Sequence, residues 1–124
     1  MIAADTSAIL HFLHGFDSIA RVRVREALAD EDLVLPAVVV TELLSGVHRE
    51  DALALLIAES TRLPVVDGYW ERTGESRRTL KALGLKANLA DALVAQACID
   101  ADTALISGDS DFRHFAAHCG LRLV

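Results

Sequence analysis

Apolar residues along this chain fall in short runs separated by longer stretches with one apolar side chain per helical turn, a pattern that predicts strands and helices in alternation. Residues 2–4 read as a short buried strand, and residues 7–14 show helical spacing, so Asp5, Thr6 and Ser7 join the two as a βα unit. Asp17 is the expected cap of the next helix, which runs to about Asp30. That helix should turn Ile19, Ala20, Val22, Val24, Ala27 and Leu28 inward and leave Arg21, Arg23 and Arg25 more exposed. Residues 33–35 form a second strand, after which Pro36 suits the first turn of a helix running to Ser45 and closed by Gly46. The alanine- and leucine-rich residues 50–60 predict a further helix, and residues 63–66 a third strand. Asp67 should cap a long helix over 69–83, ended by a left-handed turn at Gly84, and Asn88 should cap the helix over 89–101. Residues 104–107 are the fourth strand, 111–117 a short helix, and 121–123 a fifth strand or terminal extension. Strands separated by helices throughout imply an α/β fold: a three-layer α/β/α sandwich around a mostly parallel sheet.

The length, 124 residues, suits a single domain over 1–124 with a true hydrophobic core. Cys98 and Cys119 make no C-x-x-C pair and read as reduced thiols, which points to a cytoplasmic protein. Met1 leads directly into a strand-like run without a basic or long apolar leader, and no apolar stretch approaches the roughly 20 residues of a membrane span. A formal charge of −6 argues at first against a nucleic-acid partner. The objection weakens because five acids, Asp5, Glu42, Asp91, Asp109 and Asp111, fall in one candidate site; without them the charge is −1.

Four of these acids stand at the edges of apolar segments, where a carboxylate is costly to desolvate unless a cation compensates it. A divalent ion does so well, since hard cations choose oxygen ligands. In a parallel sheet, ligands collect beyond the carboxyl ends of the strands, where Asp5 and Asp109 lie, and the start of the following helix can bring Asp91 to the same edge. Each acid also has a structural explanation. Asp91 sits in the first turn of its helix and Asp109 or Asp111 can cap the last one. Glu42 is different, because it stands mid-helix with Val38 and Val39 before it and Leu43 and Leu44 after it; no arginine or lysine of its own helix can compensate a buried glutamate there, and a metal site shared with Asp5 and Asp91 would.

These segments resemble the PIN domains, and within them the VapC-type ribonuclease toxins of toxin–antitoxin pairs. The resemblance rests on Asp-Thr-Ser at 5–7, Thr-Glu-Leu-Leu-Ser-Gly at 41–46, Leu-Ala-Asp-Ala-Leu-Val-Ala at 89–95 and Ser-Gly-Asp-Ser-Asp-Phe at 107–112. It implies a catalytic quartet of Asp5, Glu42, Asp91 and Asp109, with Asp111 an additional acid near the metal; the metal ligands would be Asp5, Asp91, Asp109 and Asp111. Ser107 stands where the family usually has threonine, and the hydroxyls of Thr6, Ser7 and Ser107 would hold ligands or waters in place. The implied activity is hydrolysis of RNA by metal-activated water with Mg²⁺ or Mn²⁺. The implied partners are an RNA substrate, a small VapB-like antitoxin protein and a second copy of the chain in a homodimer.

Cations for substrate contact are available on the long helix: Arg72, Arg77, Arg78 and Lys81, interleaved with Glu71 and Glu75 as on any solvated helix. His114 and His118 have the spacing of zinc-binding helices but lack a completing set of ligands, while His11 and His14 read as ordinary helix-end residues. Tyr69 and Trp70 are expected to anchor the long helix to the core or to an oligomer contact. Two rival readings stay open: a catalytically silent PIN-like binding module, and a receiver-like phosphoacceptor domain, which would want a second acid beside Asp5, an acceptor aspartate after the third strand and a lysine after the last strand.

Overall fold

The computed structural model describes residues 1–47 and 50–124. Among them the elements run β1 (Ile2–Ala4), α1 (Thr6–His14), α2 (Ile19–Ala29), β2 (Leu33–Leu35), α3 (Ala37–Leu44), α4 (Asp51–Glu59), β3 (Thr61–Arg62), α5 (Tyr69–Ala82), α6 (Leu89–Asp100), β4 (Ala104–Ile106) and α7 (Phe112–His118). The strands form one parallel sheet in the order β3-β2-β1-β4. Ile2 pairs with both Leu33 and Ala104, so β1 is central, with a strand hydrogen-bonded on each side and Ala3 and Ala4 buried. The chain steps outward from β1 to β3 and then returns across the sheet to β4. That reversal makes the carboxyl ends of β1 and β4 a topological switch point. Helices cover both faces, with α1 packed on α2, α5 on α6, and α7 against α5 and α6. Phe112, Phe115, Ile9, Leu35, Leu80, Leu105 and Ile106 are the largest fully buried side chains.

Several boundaries are set by caps. Asn88 caps α6 by accepting the Asp91 N–H (2.8 Å), and Gly84 follows α5 in the left-handed conformation (φ 74°), both as the sequence predicts. Elsewhere the local chemistry differs from the prediction. The cap of α2 is Ser18, whose Oγ accepts the Arg21 N–H (3.1 Å), in place of Asp17. At the start of α5 the cap position belongs to Gly68, not Asp67; its φ of 83° suits a residue without a side chain, and no side-chain cap bond is made. Ile19 and Val22 of α2 face solvent, leaving Ala20, Val24 and Ala27 as its buried face. The third strand lies earlier than 63–66, at Thr61–Arg62, and its pairing ends where the Leu63 N–H reaches Leu35 O (2.9 Å), because Pro64 has no N–H to continue it. Residues 121–123 contribute a single parallel bridge, Leu105 to Leu123. Helix α3 closes at Ser45, whose Oγ donates to Thr41 O (2.6 Å), one residue before Gly46. Both cysteines are free.

Candidate metal centre

The site grows from the pairing of β1 with β4. One residue beyond β1, the Asp5 N–H donates to Ile106 O (3.1 Å), which carries the ladder one step past β1 and brings Asp5 beside Ser107. Asp5 is 4 % exposed and is the N-cap of α1: its Oδ1 accepts the Ala8 N–H (2.8 Å). The Ser7 hydroxyl bonds the same carboxylate (2.8 and 2.9 Å), and the Ser107 hydroxyl donates to its Oδ2 through a short hydrogen bond. Burial raises Asp5 above the ordinary carboxylate range; the bonds from Ser107, Ala8 and Ser7 oppose the rise, and the charge of Asp109 adds to it.

The loop after β4 is built onto α1 by the same two hydroxyls. Gly108 N–H donates to Ser7 Oγ (3.0 Å) and Asp109 N–H to Ser107 Oγ (2.9 Å). His11, one turn after Ser7 on α1, lies directly against this loop: a Cβ at position 108 would sit 2.7 Å from its Cε1, so the approach requires glycine. His11 Nδ1 in turn pairs with the Ser18 hydroxyl (3.1 Å). His11 is therefore more than the ordinary helix-end residue its sequence position suggests, and its i, i+4 relation to Ser7 marks the face of α1 on which it lies.

Asp91, Asp109 and Asp111 each direct a carboxylate oxygen into one volume, the three oxygens lying within 4.8 Å of one another. Asp91 comes from the first turn of α6, where it is held by its own cap: Asn88 Nδ2 donates to Asp91 Oδ2 (2.9 Å) while the Asn88 oxygen accepts the Asp91 N–H. Burial, followed by the charge of Asp109, pushes Asp91 up to about 6, and Asp111 and Asp5 add to the rise against the opposing bond from Asn88. Asp109 accepts the Asp111 N–H (2.9 Å). Asp111 stands at the N-cap position of α7 but makes no capping bond; its Oδ2 instead meets Lys86 Nζ at 2.9 Å.

Glu42 is arranged otherwise than its apolar neighbours suggest. It lies on the exposed side of α3, where Leu43 is buried and Leu44 is not, and it accepts a hydrogen bond from Thr6 Oγ1 (2.8 Å). Its tolerance therefore needs no metal, and the argument from a buried, unpartnered glutamate does not hold. It stands one residue-pair away from Asp5 through Thr6, outside the group of three converging acids, as does Asp5 itself. The converging donors are all carboxylate oxygens, the chemistry of a hard divalent cation, and the raised pKa of Asp91 shows that its charge is left incompletely compensated by the protein.

The cations of α5 divide into two kinds. Arg72 is taken by Asp100, and Arg77 Nε donates to Ala87 O (2.9 Å), tying α5 to the segment that leads into Asn88 and Asp91. Arg78 and Lys81 are exposed. Tyr69 is buried and its hydroxyl donates to Leu93 O (2.6 Å), whereas its neighbour Trp70 is 63 % exposed, so of the two only Tyr69 anchors the helix to the core.

An α/β sheet with carboxylates converging at its β1/β4 switch point defines a class of acidic-site domain, and the comparisons place this chain within it. The PIN-domain family profile matches residues 2–118, and the chain belongs to that family. No curated protein matches it significantly. Among solved structures it is similar to a chain of VapBC2 from Rickettsia felis bound to a promoter DNA fragment (20 % identity, 100 % of this chain and 98 % of that one, TM-score 0.78). It is also similar to a chain of DNA-bound VapBC from Salmonella typhimurium (19 % identity, 100 % and 98 %, TM-score 0.73) and of FitAcB from Neisseria gonorrhoeae (18 % identity, 99 % and 96 %, TM-score 0.69). Among the described residues, no helix is long and apolar enough to cross a membrane.

Proposed function

We propose that this chain is a metal-dependent endoribonuclease that acts as the toxin of a type II toxin–antitoxin module. The observation that carries the reading is the convergence of Asp91, Asp109 and Asp111 beside Asp5 at the switch point of a PIN-family fold. When bound there, Mg²⁺ or Mn²⁺ supplies electrostatic stabilisation of the phosphoryl oxygens and acidifies a water at neutral pH. Asp91, Asp109 and Asp111 would hold the ion together with the neighbouring Asp5, while Ser7 and Ser107 fix Asp5 and the loop. Glu42, steadied by Thr6, orients the attacking water and takes its proton. The water oxygen bonds to phosphorus as the bond from phosphorus to the 3′ oxygen breaks, leaving a 5′-phosphate and a 3′-hydroxyl once the leaving oxygen is protonated.

The receiver-like alternative fares worse. Strand β3, after which its acceptor aspartate would stand, lies at the sheet edge two strands from β1, so the acceptor could not join Asp5. The partner reading draws support from a groove lined by Leu10, Leu13, Leu43 and Leu53 together with Thr6, Glu42 and the His14–Glu50 pair (3.2 Å). A VapB-like antitoxin segment would lay apolar side chains there and present an arginine to the carboxylates; the solved relatives named above are themselves complexes of this kind. A homodimer and a cytoplasmic location belong to the same proposal. The test is incubation of purified protein with total RNA and Mn²⁺, with mapping of the cut ends. The proposal expects cleavage with 5′-phosphate ends that EDTA and Asp5→Asn both abolish. Cleavage unchanged by either would overturn it, and Asp5→Asn is a fair test because asparagine also caps α1.

A further inference from the structure

We infer that Lys86 is a tethered competitor of the divalent cation: its ammonium and the metal ion contend for the same carboxylate, Asp111, so that Lys86 sets how tightly the site holds its ion. This rests on the reading of the acids as a metal centre. The backbone on either side of Lys86 is pinned, which fixes where its side chain starts. The Leu85 N–H donates to Leu80 O (2.9 Å) and Ala87 O accepts Arg77 Nε (2.9 Å), while Leu85 and Ala87 pack into the core. The chain between α5 and α6 thus alternates in, out, in, and delivers the one outward side chain to Asp111 Oδ2 at 2.9 Å.

Of the three converging acids, Asp111 alone is ion-paired among the described residues; Asp91 is held by the neutral amide of Asn88 and Asp109 by a backbone N–H. A single positive charge therefore already sits on the rim of the volume a dication would enter. It neutralises part of the cluster when no ion is present. It also opposes entry of the ion, first by occupying Asp111 and then by like-charge repulsion. The pair is displaceable: the lysine side chain is 66 % exposed, and exposed pairs are weak and screened. The lysine tunes the site without blocking it.

The test is a titration of the full chain with Mn²⁺, free ion being followed by electron paramagnetic resonance in the absence of RNA. Lys86→Met should bind Mn²⁺ about 3- to 10-fold more tightly than the natural chain, Lys86→Arg should match it, and the gain should shrink in an Asp111→Asn background. Affinity unchanged or weakened in Lys86→Met overturns the inference while leaving the metal centre standing. Absence of Mn²⁺ uptake by both the natural chain and Lys86→Met overturns both.

Discussion

Helix α6 carries an aspartate near each end, and the two are treated in opposite ways. Asp100, near the C-terminus, has a side chain only 8 % exposed and is fully answered: Arg72 grips it with Nε and a terminal nitrogen (2.9 and 2.7 Å), and Gln96 Nε2 adds a third bond (2.8 Å). Hydrogen bonds from Arg72 hold Asp100 below the ordinary carboxylate range. Asp91, at the N-terminus, receives one neutral amide and faces other acids, and burial lifts it to about 6. A charge that serves the fold is paired when the chain folds. A charge left to a missing partner announces where a ligand belongs.

The sharpest way to break this contrast is to neutralise each acid. Asp91→Asn and Asp109→Asn should each lower Mn²⁺-dependent RNA cleavage by about 100-fold or more, since each removes a group that acts at the reacting phosphate. Asp100→Asn should stay within a few fold of the natural rate, measured as initial rates on the same RNA.

Stability should show the reverse order. Asp100→Ala strands the amide of Gln96, which is 4 % exposed, and should cost about 1–3 kcal/mol in urea unfolding. Metal-free Asp91→Asn should equal or exceed the natural chain at pH 7.5. A smaller effect is expected at the loop after β4, where Gly108→Ala forces a methyl against His11 and should cost about 1–2 kcal/mol while slowing cleavage through displacement of Asp109.

The pH dependence of stability distinguishes the two ends by sign. Asp91 is raised, so the fold favours its protonated form: that contribution is fully present below 3.8 and is lost as pH rises through about 6. Asp100 is lowered, so its contribution is present above 3.8 and is lost as pH falls through its folded value. Without metal, the advantage of Asp91→Asn over the natural chain should therefore be largest at pH 7.5 and shrink toward pH 5. Added Mn²⁺ should reverse it at pH 7.5, because only the natural chain binds the ion tightly.

Much of this arrangement was legible in the sequence, because periodicity and caps are local. The run before Asp5, the alternation after it, Asn88 as a cap and Gly84 as a stop each depend on a few neighbouring residues, and they place three acids at strand ends and one helix start. What the sequence misjudged needed information from elsewhere in the fold. Ser18 and Gly68 displaced the adjacent aspartates as caps because the entry path of the chain, not residue preference alone, chooses the cap position. Glu42 is flanked by apolar residues in sequence, yet the helix turns it outward to Thr6, thirty-six positions away. Lys86 carried no local mark, and His11 only its i, i+4 relation to Ser7; their roles come from Asp111 and Gly108, which only tertiary structure brings to them.

The central claim is that Asp91, Asp109 and Asp111, with Asp5 behind them, form a site for a divalent ion, and anomalous diffraction from crystals soaked in Mn²⁺ tests it most directly. The account predicts a manganese peak about 2.1–2.3 Å from carboxylate oxygens of Asp91 and Asp109. Crystals that show no peak there at saturating Mn²⁺, with Lys86 still on Asp111 and the remaining acids spread into solvent, would contradict it.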